Sequence, residues 1–238
     1  METQPKAQLD AGFLSGPILP PLIRFSLPLM LSLLLQALYG GVDLAVVGWF
    51  STTAHVSAVA TGSQMMQAVT VVITGLTMGV TVLLGHAMGA GDPKTAGDVT
   101  AAQIWLFLPL ALFCALLIIS LAPWLTQLMQ VPAAAVDATI AYIRICAGGT
   151  IFITAYNVIS GLFRGIGNSR SPFLFVLIAC LVNVVLDLVF VGVFSMGAGG
   201  AALATVLAQA ASVAFSLAYL HRHPFPFPVG KANLRAPG

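Results

Sequence analysis

The chain has 238 residues, of which 59% are hydrophobic and only 7% are charged, whereas soluble domains carry roughly 25% charged residues. Its net charge of +2, from nine basic and seven acidic residues, is too sparse for nucleic-acid binding, which needs Lys and Arg clustered on one face. This composition excludes an ordinary soluble domain and predicts an integral membrane protein.

Three cysteines, Cys114, Cys146 and Cys180, lie far apart within apolar segments. An odd number at such spacing indicates neither a disulfide framework nor a metal motif, so we interpret them as small core residues. The first apolar run begins only near Ile18, after the acidic Asp10, which argues against a cleaved signal peptide.

Six apolar segments are each long enough to cross the roughly 30 Å hydrocarbon core of a bilayer, which takes about 20 residues of helix. In chain order they cover residues 22–50, 55–88, 96–122, 133–164, 171–194 and 200–220. The segments are too long for barrel strands, and a helix satisfies its own backbone polar groups in lipid. We therefore predict an all-α integral membrane protein, a bundle of six transmembrane helices.

The breaks between segments carry residues typical of helix starts. Asp92 precedes Pro93, and Ser171 precedes Pro172, so each pair matches a capping side chain followed by proline at the first helical position. Pro132 stands where the fourth helix is expected to begin.

The basic residues lie almost entirely on one side of the predicted spans. If the N-terminus is cytoplasmic, eight of the nine basic residues fall on that side, whereas the opposite loops hold none. The eight are Lys6, Arg24, Lys94, Arg164, Arg170, Arg222, Lys231 and Arg235, and Arg144 lies inside the fourth span. The positive-inside rule then predicts that both termini are cytoplasmic, and we expect a multi-pass protein of the inner (plasma) membrane.

Two acidic residues lie deep within predicted spans. A carboxylate in mid-membrane costs about 2.5–3.5 kcal/mol on insertion scales, so it faces a partner, a cavity or an ion. Asp43 follows Arg24 by 19 residues, and Asp187 follows Arg170 by 17. At 1.5 Å per residue both rise roughly 25–29 Å from the cytoplasmic side, which predicts that they lie at matching depth in the outer half of the membrane.

Two neutral polar residues accompany the acids. Asn183 is four residues before Asp187 and therefore on the same helical face, and Thr205 enters the sixth span at a compatible level. Carboxylates, an amide and a hydroxyl are hard oxygen ligands suited to Na⁺, and a desolvated carboxyl can instead hold a proton. The sequence predicts a site for a coupling ion, Na⁺ or H⁺; the alternative is that these groups only hydrogen-bond the helices together.

Gln36, two turns before Asp43, and Asn157 in the fourth span are predicted to line the same interior lower down. Hydrogen bonding between helices is the alternative for both. Three glycine pairs, Gly75 with Gly79, Gly85 with Gly89, and Gly161 with Gly165, have the spacing that lets helices approach closely. No nucleophile with a base and a third partner is recognisable, so we predict no enzyme and no cofactor beyond the coupling ion.

Four stretches in this order resemble the multidrug and toxic compound extrusion (MATE) transporters, and in particular their DinF-like branch. They are "SLPLMLSLLLQALYGGVDLAVVGWF", "GLTMGVTVLLGHAMGAGD", "GLFRGIGNSRSPF" and "NVVLD", and the similarity covers residues 22–220. The resemblance implies a fold of twelve spans in two six-helix lobes. It also implies export of organic, often cationic compounds in exchange for H⁺ or Na⁺.

The resemblance also assigns roles to particular residues. The cation site of the N-terminal lobe corresponds to Asp43, Asn183, Asp187 and Thr205, and the substrate cavity corresponds to Gln36 and Asn157. The chain itself has six spans, so it corresponds to one lobe, at residues 22–220, between an N-terminal segment (1–21) and a tail or linker (221–238). Its expected partners are small organic substrates, the bilayer, and either a C-terminal lobe or a second copy of the chain.

Two other functions stay open at this stage. A lipid-linked oligosaccharide flippase of the same superfamily would need several basic residues facing a pyrophosphate, and only Arg144 is available. A non-transporting membrane scaffold would tolerate Asn in place of both Asp43 and Asp187. The sequence leaves open the substrate, the choice of ion and the oligomeric state.

The six-span topology predicts that Thr53 and Lys94 lie on opposite sides of the membrane. Single cysteines at these positions, in a chain whose Cys114, Cys146 and Cys180 are replaced by Ala, should react with a membrane-impermeant maleimide from opposite sides, the first from outside. Labelling of both positions from the same side of intact cells would contradict the six-span topology.

Overall fold

The computed structural model of the chain describes residues 19–227. Within that range it contains seven α-helices and no strand. They are α1 (Leu19–Phe50), α2 (Thr53–Gly89), α3 (Pro93–Leu128), α4 (Val136–Gly148), α5 (Thr150–Gly165), α6 (Arg170–Asp187) and α7 (Gly197–Arg222). The predictions for Lys6, Lys231 and Arg235, and for most of the terminal segments, lie outside the described residues.

Five stretches are long and apolar enough to span a membrane as single helices, and α4 with α5 forms a sixth that is bent by 47°. The predicted all-α bundle of membrane-spanning helices is therefore confirmed, with bounds close to those expected except that α3 continues to Leu128. Many large apolar side chains face outward, among them Leu34, Leu112 and Leu181, as expected for a surface covered by lipid.

The helices are not equally central. α1 packs mainly against α6, while α2 and α7 each contact most of the other helices. Within residues 19–227, α3 packs on α2, α4 and α5 and makes no contact with α1, α6 or α7. Two cross-helix bonds join α7 to its neighbours: the Ser212 hydroxyl donates to the Phe175 carbonyl of α6 (2.8 Å), and the Ala198 amide donates to His55 Nδ1 of α2 (3.3 Å).

The bend between α4 and α5 was not predicted. It falls at Gly149, where an added Cβ would collide with the side chain of Val206 on α7. The absence of a side chain lets α7 approach the backbone at this point, and a glycine in a helix weakens its continuity. The fourth span therefore consists of two helices, α4 and α5, that both pack against α7.

Asp92 caps α3 as predicted. Its Oδ1 accepts from the amides of Lys94 and Thr95, both at 3.1 Å, and its Oδ2 accepts from the Thr95 hydroxyl at 2.6 Å. These bonds, with that of the Thr95 hydroxyl first, hold the pKa of the Asp92 carboxyl below its ordinary value. Pro93 occupies the first helical position.

The predicted capping role of Ser171 is wrong. Helix α6 begins at Arg170, so Ser171 already lies in its first turn. Asn168 is the capping side chain instead, because its Oδ1 accepts from the amides of Arg170 and Ser171 at 3.1 Å. Gly167, at φ +82°, makes the turn that places it there. Pro132 directly precedes a 3₁₀ turn, Ala133–Ala135, that leads into α4, as expected.

The chain directly after Asp187 is a π-helical segment, Leu188–Val193, which the sequence did not predict. Its wider turn is seen in the bond from the Phe194 amide to the Val189 carbonyl at 2.9 Å. Such segments interrupt the regular hydrogen-bond ladder and are frequent at functional sites.

The glycine pairs differ in their surroundings. A Cβ at Gly161 would lie 2.5 Å from Thr77 Cγ2 and 2.9 Å from Thr81 Oγ1, and a Cβ at Gly165 would crowd Leu84. These two glycines bring α5 against α2, as predicted. Gly75 and Gly79 have nothing within 4 Å of an added Cβ in the described chain, so they pack on no other helix there.

Gly161→Ala should therefore destabilise the bundle, because overpacking typically costs about 1–3 kcal/mol. The matched control is Gly75→Ala, which meets open space and gains up to about 1 kcal/mol of helix propensity. Thermal unfolding of the purified chain in detergent measures both. Equal midpoints for the two variants would show that the α2–α5 approach does not depend on the glycine.

Candidate functional site

The four residues predicted for the cation site come together where α1, α6 and α7 meet. Asp43 comes from α1, Asn183 and Asp187 from α6, and Thr205 from α7. Asp43, Asn183 and Asp187 are 4%, 1% and 0% exposed, and Thr205 is half-buried. Their position follows from the packing of α6 against both α1 and α7.

The side chain of Asp43 is the centre of this group. It interacts with the side chains of Asp187, Asn183 and Thr205. Yet no atom of the described chain completes a hydrogen bond to Asp43 Oδ1, to either oxygen of Asp187, or to either polar atom of the Asn183 amide. The Thr205 hydroxyl donates to the Ala201 carbonyl at 3.0 Å, which leaves its oxygen able to accept or to coordinate.

Buried polar atoms are normally hydrogen-bonded, and buried charges are paired. Two carboxylates side by side away from water cannot both stay ionised without a cation between them, and otherwise they hold a proton. The available ligands are carboxylate, amide and hydroxyl oxygens, which suit a hard cation such as Na⁺. The arrangement can thus exchange H⁺ with a cation or bind either one.

Tyr39 and Gln209 also belong to this neighbourhood, and the sequence reasoning missed both. The Tyr39 hydroxyl interacts with the Gln209 side chain and lies in the field of both carboxylates. A signal was present, because Tyr39 is four residues before Asp43 and Gln209 four after Thr205, which places each on the face of a predicted ligand.

The two residues predicted to line a substrate cavity are not brought together. Asn157 is buried on α5, where its Oδ1 accepts from the Thr74 hydroxyl at 3.0 Å and its Nδ2 donates to the Ile153 carbonyl at 2.8 Å. Gln36 is exposed on α1. In the described chain α1 and α5 do not touch, so the pair could share a cavity only across open space.

Other buried polar groups were also missed. Gln103 on α3 is 1% exposed and both atoms of its amide lack a partner in the described chain, as does the hydroxyl of Ser160 on α5. Neither stood out in the sequence, because a single amide or hydroxyl in an apolar segment is common helix-packing chemistry. Residues 19–227 contain no group of three or more His, Cys, Asp or Glu side chains able to hold a metal ion.

The described chain is thus a bundle of apolar helices long enough to span a membrane, with two buried carboxylates close together where α1, α6 and α7 meet. The MatE family model matches residues 28–189, more than half of the chain. The chain therefore belongs to the MATE family of membrane transporters, as the resemblance implied. The branch within the family is not specified by this match.

Two curated relatives support the assignment. The chain is 30% identical over 208 residues to the probable multidrug resistance protein YpnP of Bacillus subtilis (strain 168), an alignment that covers 87% of this chain and 47% of the relative. It is 29% identical over 196 residues to the probable multidrug resistance protein NorM of Thermotoga maritima, covering 79% and 41%. The chain thus spans about half the length of these relatives.

Solved structures give the same picture. A MOP superfamily transporter from Pyrococcus furiosus Vc1 superposes with a TM-score of 0.88 at 25% identity, covering all of this chain and 52% of that one. The outward-facing conformation of a multidrug resistance MATE family transporter gives the same values. The described bundle therefore corresponds to about half of a MATE transporter.

Proposed function

We propose that this chain is the N-terminal half of a cation-coupled multidrug efflux antiporter that exports organic, often cationic compounds. The observation that carries the proposal is the contact of Asp43 with Asp187 beside Asn183, all three at most 4% exposed. Packing alone gives two acids in contact no role, whereas a site that takes up and releases a cation gives them one. The names of the multidrug resistance relatives support the substrate class.

The mechanism we propose is antiport by population shift. A cation or a proton that binds between Asp43 and Asp187 removes the repulsion that otherwise pushes α1 and α6 apart, so it favours the more closely packed arrangement of these helices. A ligand shifts such an equilibrium only by its differential affinity for the two states. Cation uptake from outside would then favour the state with low affinity for the drug, which leaves outward.

The π-helical segment supports this mechanism. It directly follows Asp187 and contacts α1 and α7 as well as α6, so a change of charge at Asp187 acts on backbone that lacks a regular hydrogen-bond ladder. The Tyr39 hydroxyl, which interacts with Gln209 and lies in the field of both acids, can reorient when the charge of the pair changes. The carboxylates accept either Na⁺ or H⁺, and we assign no preference.

We propose that the exposed face of α1 and α2 meets the second half of the transporter. Beside large apolar side chains such as Val71 and Met78, this face carries polar and small residues that contact with lipid alone does not explain. These polar and small residues, all exposed in the described chain, are Gln36, Gly41, Gln64, Gln67, Gly75 and Gly79. A C-terminal lobe, or a second copy with the same orientation, would complete the substrate path at this face.

The alternatives have less support. A pyrophosphate-binding flippase would need inward-facing cations, whereas Arg144 is exposed and its Nε donates to the Ile119 carbonyl at 3.4 Å. A scaffold would give the buried acids no task. We therefore propose transport rather than catalysis, in the inner (plasma) membrane, with both termini cytoplasmic by the positive-inside rule.

The cation site makes a prediction for the purified chain. The thermal unfolding midpoint should rise when Na⁺ replaces K⁺ at fixed ionic strength, or when the pH falls, because a bound ligand at 100 times its Kd stabilises by about 2.7 kcal/mol. Asp43→Asn and Asp187→Asn should each abolish that dependence. The control is Asp137→Asn, which changes an exposed acid in the first turn of α4 and should preserve it.

Full retention of the dependence in Asp187→Asn would mean that the carboxylate pair is not the cation site. The same conclusion would follow if the unfolding midpoint of the wild-type chain responded neither to Na⁺ nor to pH. The two arms also separate the ions, since a response to Na⁺ at constant pH identifies sodium.

The half-transporter proposal predicts that the chain alone does not carry out coupled transport. Reconstituted in liposomes, it should not move ethidium, an aromatic cation, against its gradient when a Na⁺ or H⁺ gradient is imposed, because half of the substrate path is missing. Liposomes with the Asp187→Asn variant set the leak rate. Coupled ethidium movement well above that rate would refute the proposal and indicate a functional dimer.

A further inference from the structure

A cavity of about 470 Å³ lies between α3, α5 and α7, away from the carboxylate pair. The chain that leaves α7, at Pro224, Phe225 and Phe227, closes one side of it. No residue of α1 or α6 lines it, so it is separate from the proposed cation site. Its volume falls within the roughly 300–1,000 Å³ usual for small-molecule pockets.

The cavity has a deep wall and an open mouth. Phe107, Ala111 and Leu162 in the wall are at most 4% exposed. Around the mouth, Ile104, Leu108, Ile151 and Leu217 are 40–58% exposed. These mouth residues are apolar and belong to membrane-spanning helices, so the mouth suits entry from the hydrocarbon of the bilayer.

The lining selects against charge. No charged side chain lines the cavity, and its polar lining side chains are the hydroxyls of Thr100 and Thr154. Burying an ion without a partner is far more costly than burying a neutral polar group. Three phenylalanines, Phe107, Phe225 and Phe227, give it aromatic walls, which favour flat aromatic ligands through offset or edge contacts.

One polar group in the cavity lacks a partner. The Thr100 hydroxyl donates to the Ala96 carbonyl at 2.9 Å. Thr154 is 3% exposed, and its hydroxyl has no hydrogen-bond partner in the described chain. A buried hydroxyl without a bond is costly, so a ligand that offers an acceptor here gains a bond that a hydrocarbon chain of a lipid cannot make.

We propose that this cavity binds uncharged aromatic compounds that carry one hydrogen-bond acceptor and arrive from the bilayer. The aromatic part of the ligand lies against Phe107, and its acceptor atom accepts a hydrogen bond from the Thr154 hydroxyl. A bound compound also touches Phe225 and Phe227, so it contacts the segment by which the chain leaves the bundle. The site is separate from the carboxylate cluster, because its lining shares no residue with that cluster.

Benzophenone is a suitable probe, because it is an uncharged aromatic ketone with a single acceptor. Under ultraviolet light its carbonyl takes a hydrogen atom from a nearby C–H bond, and a C–C bond then joins the two carbons. The whole chain in lipid nanodiscs is irradiated with increasing benzophenone, and mass spectrometry locates the adducts. We expect saturable labelling of the α5 peptide that contains Thr154 and Val158.

Ala155→Phe should lower that labelling roughly tenfold, since it fills volume that would bury the ligand. Thr154→Val keeps the shape of the side chain and removes the hydroxyl. It should raise the benzophenone concentration that gives half-maximal labelling roughly fivefold, which corresponds to the loss of one neutral hydrogen bond. Ile151→Trp, at the exposed mouth, is the second blocking variant if Ala155→Phe does not fold. Leu112→Trp, on a 58% exposed part of α3 outside the cavity, is the matched control and should not change labelling.

Unsaturable labelling spread over the exposed faces of all helices would overturn the proposal. So would labelling that Thr154→Val leaves unchanged, or that added phospholipid competes away, since the occupant would then be a lipid chain. Asp187→Asn should leave saturable labelling intact. This variant separates the test of the cavity from the test of the cation site, because the labelling result is the same whether or not the cation proposal is correct.

Discussion

The contact between two carboxylates away from water is the constraint on which the rest of this lobe depends. Asp43 and Asp187 repel each other when both are ionised, so packing elsewhere must hold their helices together. The packing of α6 against α1 and α7 supplies it. No hydrogen bond within the described chain reaches either oxygen of Asp187, and the chain directly after it is π-helical.

The remaining helices pack around α2. α2 contacts α3, α4, α5 and α7 as well as α1, and the glycines at 161 and 165 hold α5 firmly against it. α3 lies at the periphery with α4 and α5, on the side that carries the apolar cavity. The carboxylate pair and the apolar cavity therefore lie in different parts of the bundle and share no lining residue.

Sequence reasoning succeeded where the cause is local. Long apolar runs correctly predicted the spans, and Asp92 before Pro93 correctly predicted the start of α3. Hydropathy and capping both act within a single helix. It was wrong about Ser171, since Asn168 offers the same bonds and only the φ of Gly167 decides which side chain reaches the amides. It missed the bend at Gly149, which depends on Val206 from a helix more than fifty residues later.

The sequence by itself determined that the chain crosses a membrane as six helical spans, and that its two deep acids need a partner, a cavity or an ion, because an unpartnered carboxylate is costly in lipid whichever helix carries it. Only the tertiary structure decided that Asp43 meets Asp187, Asn183 and Thr205, that Tyr39 and Gln209 join them, and that Gln36 and Asn157 stay apart. Depth follows from counting residues along a helix. Contact follows from which helices pack together and how each is rotated, and that depends on side chains throughout the bundle.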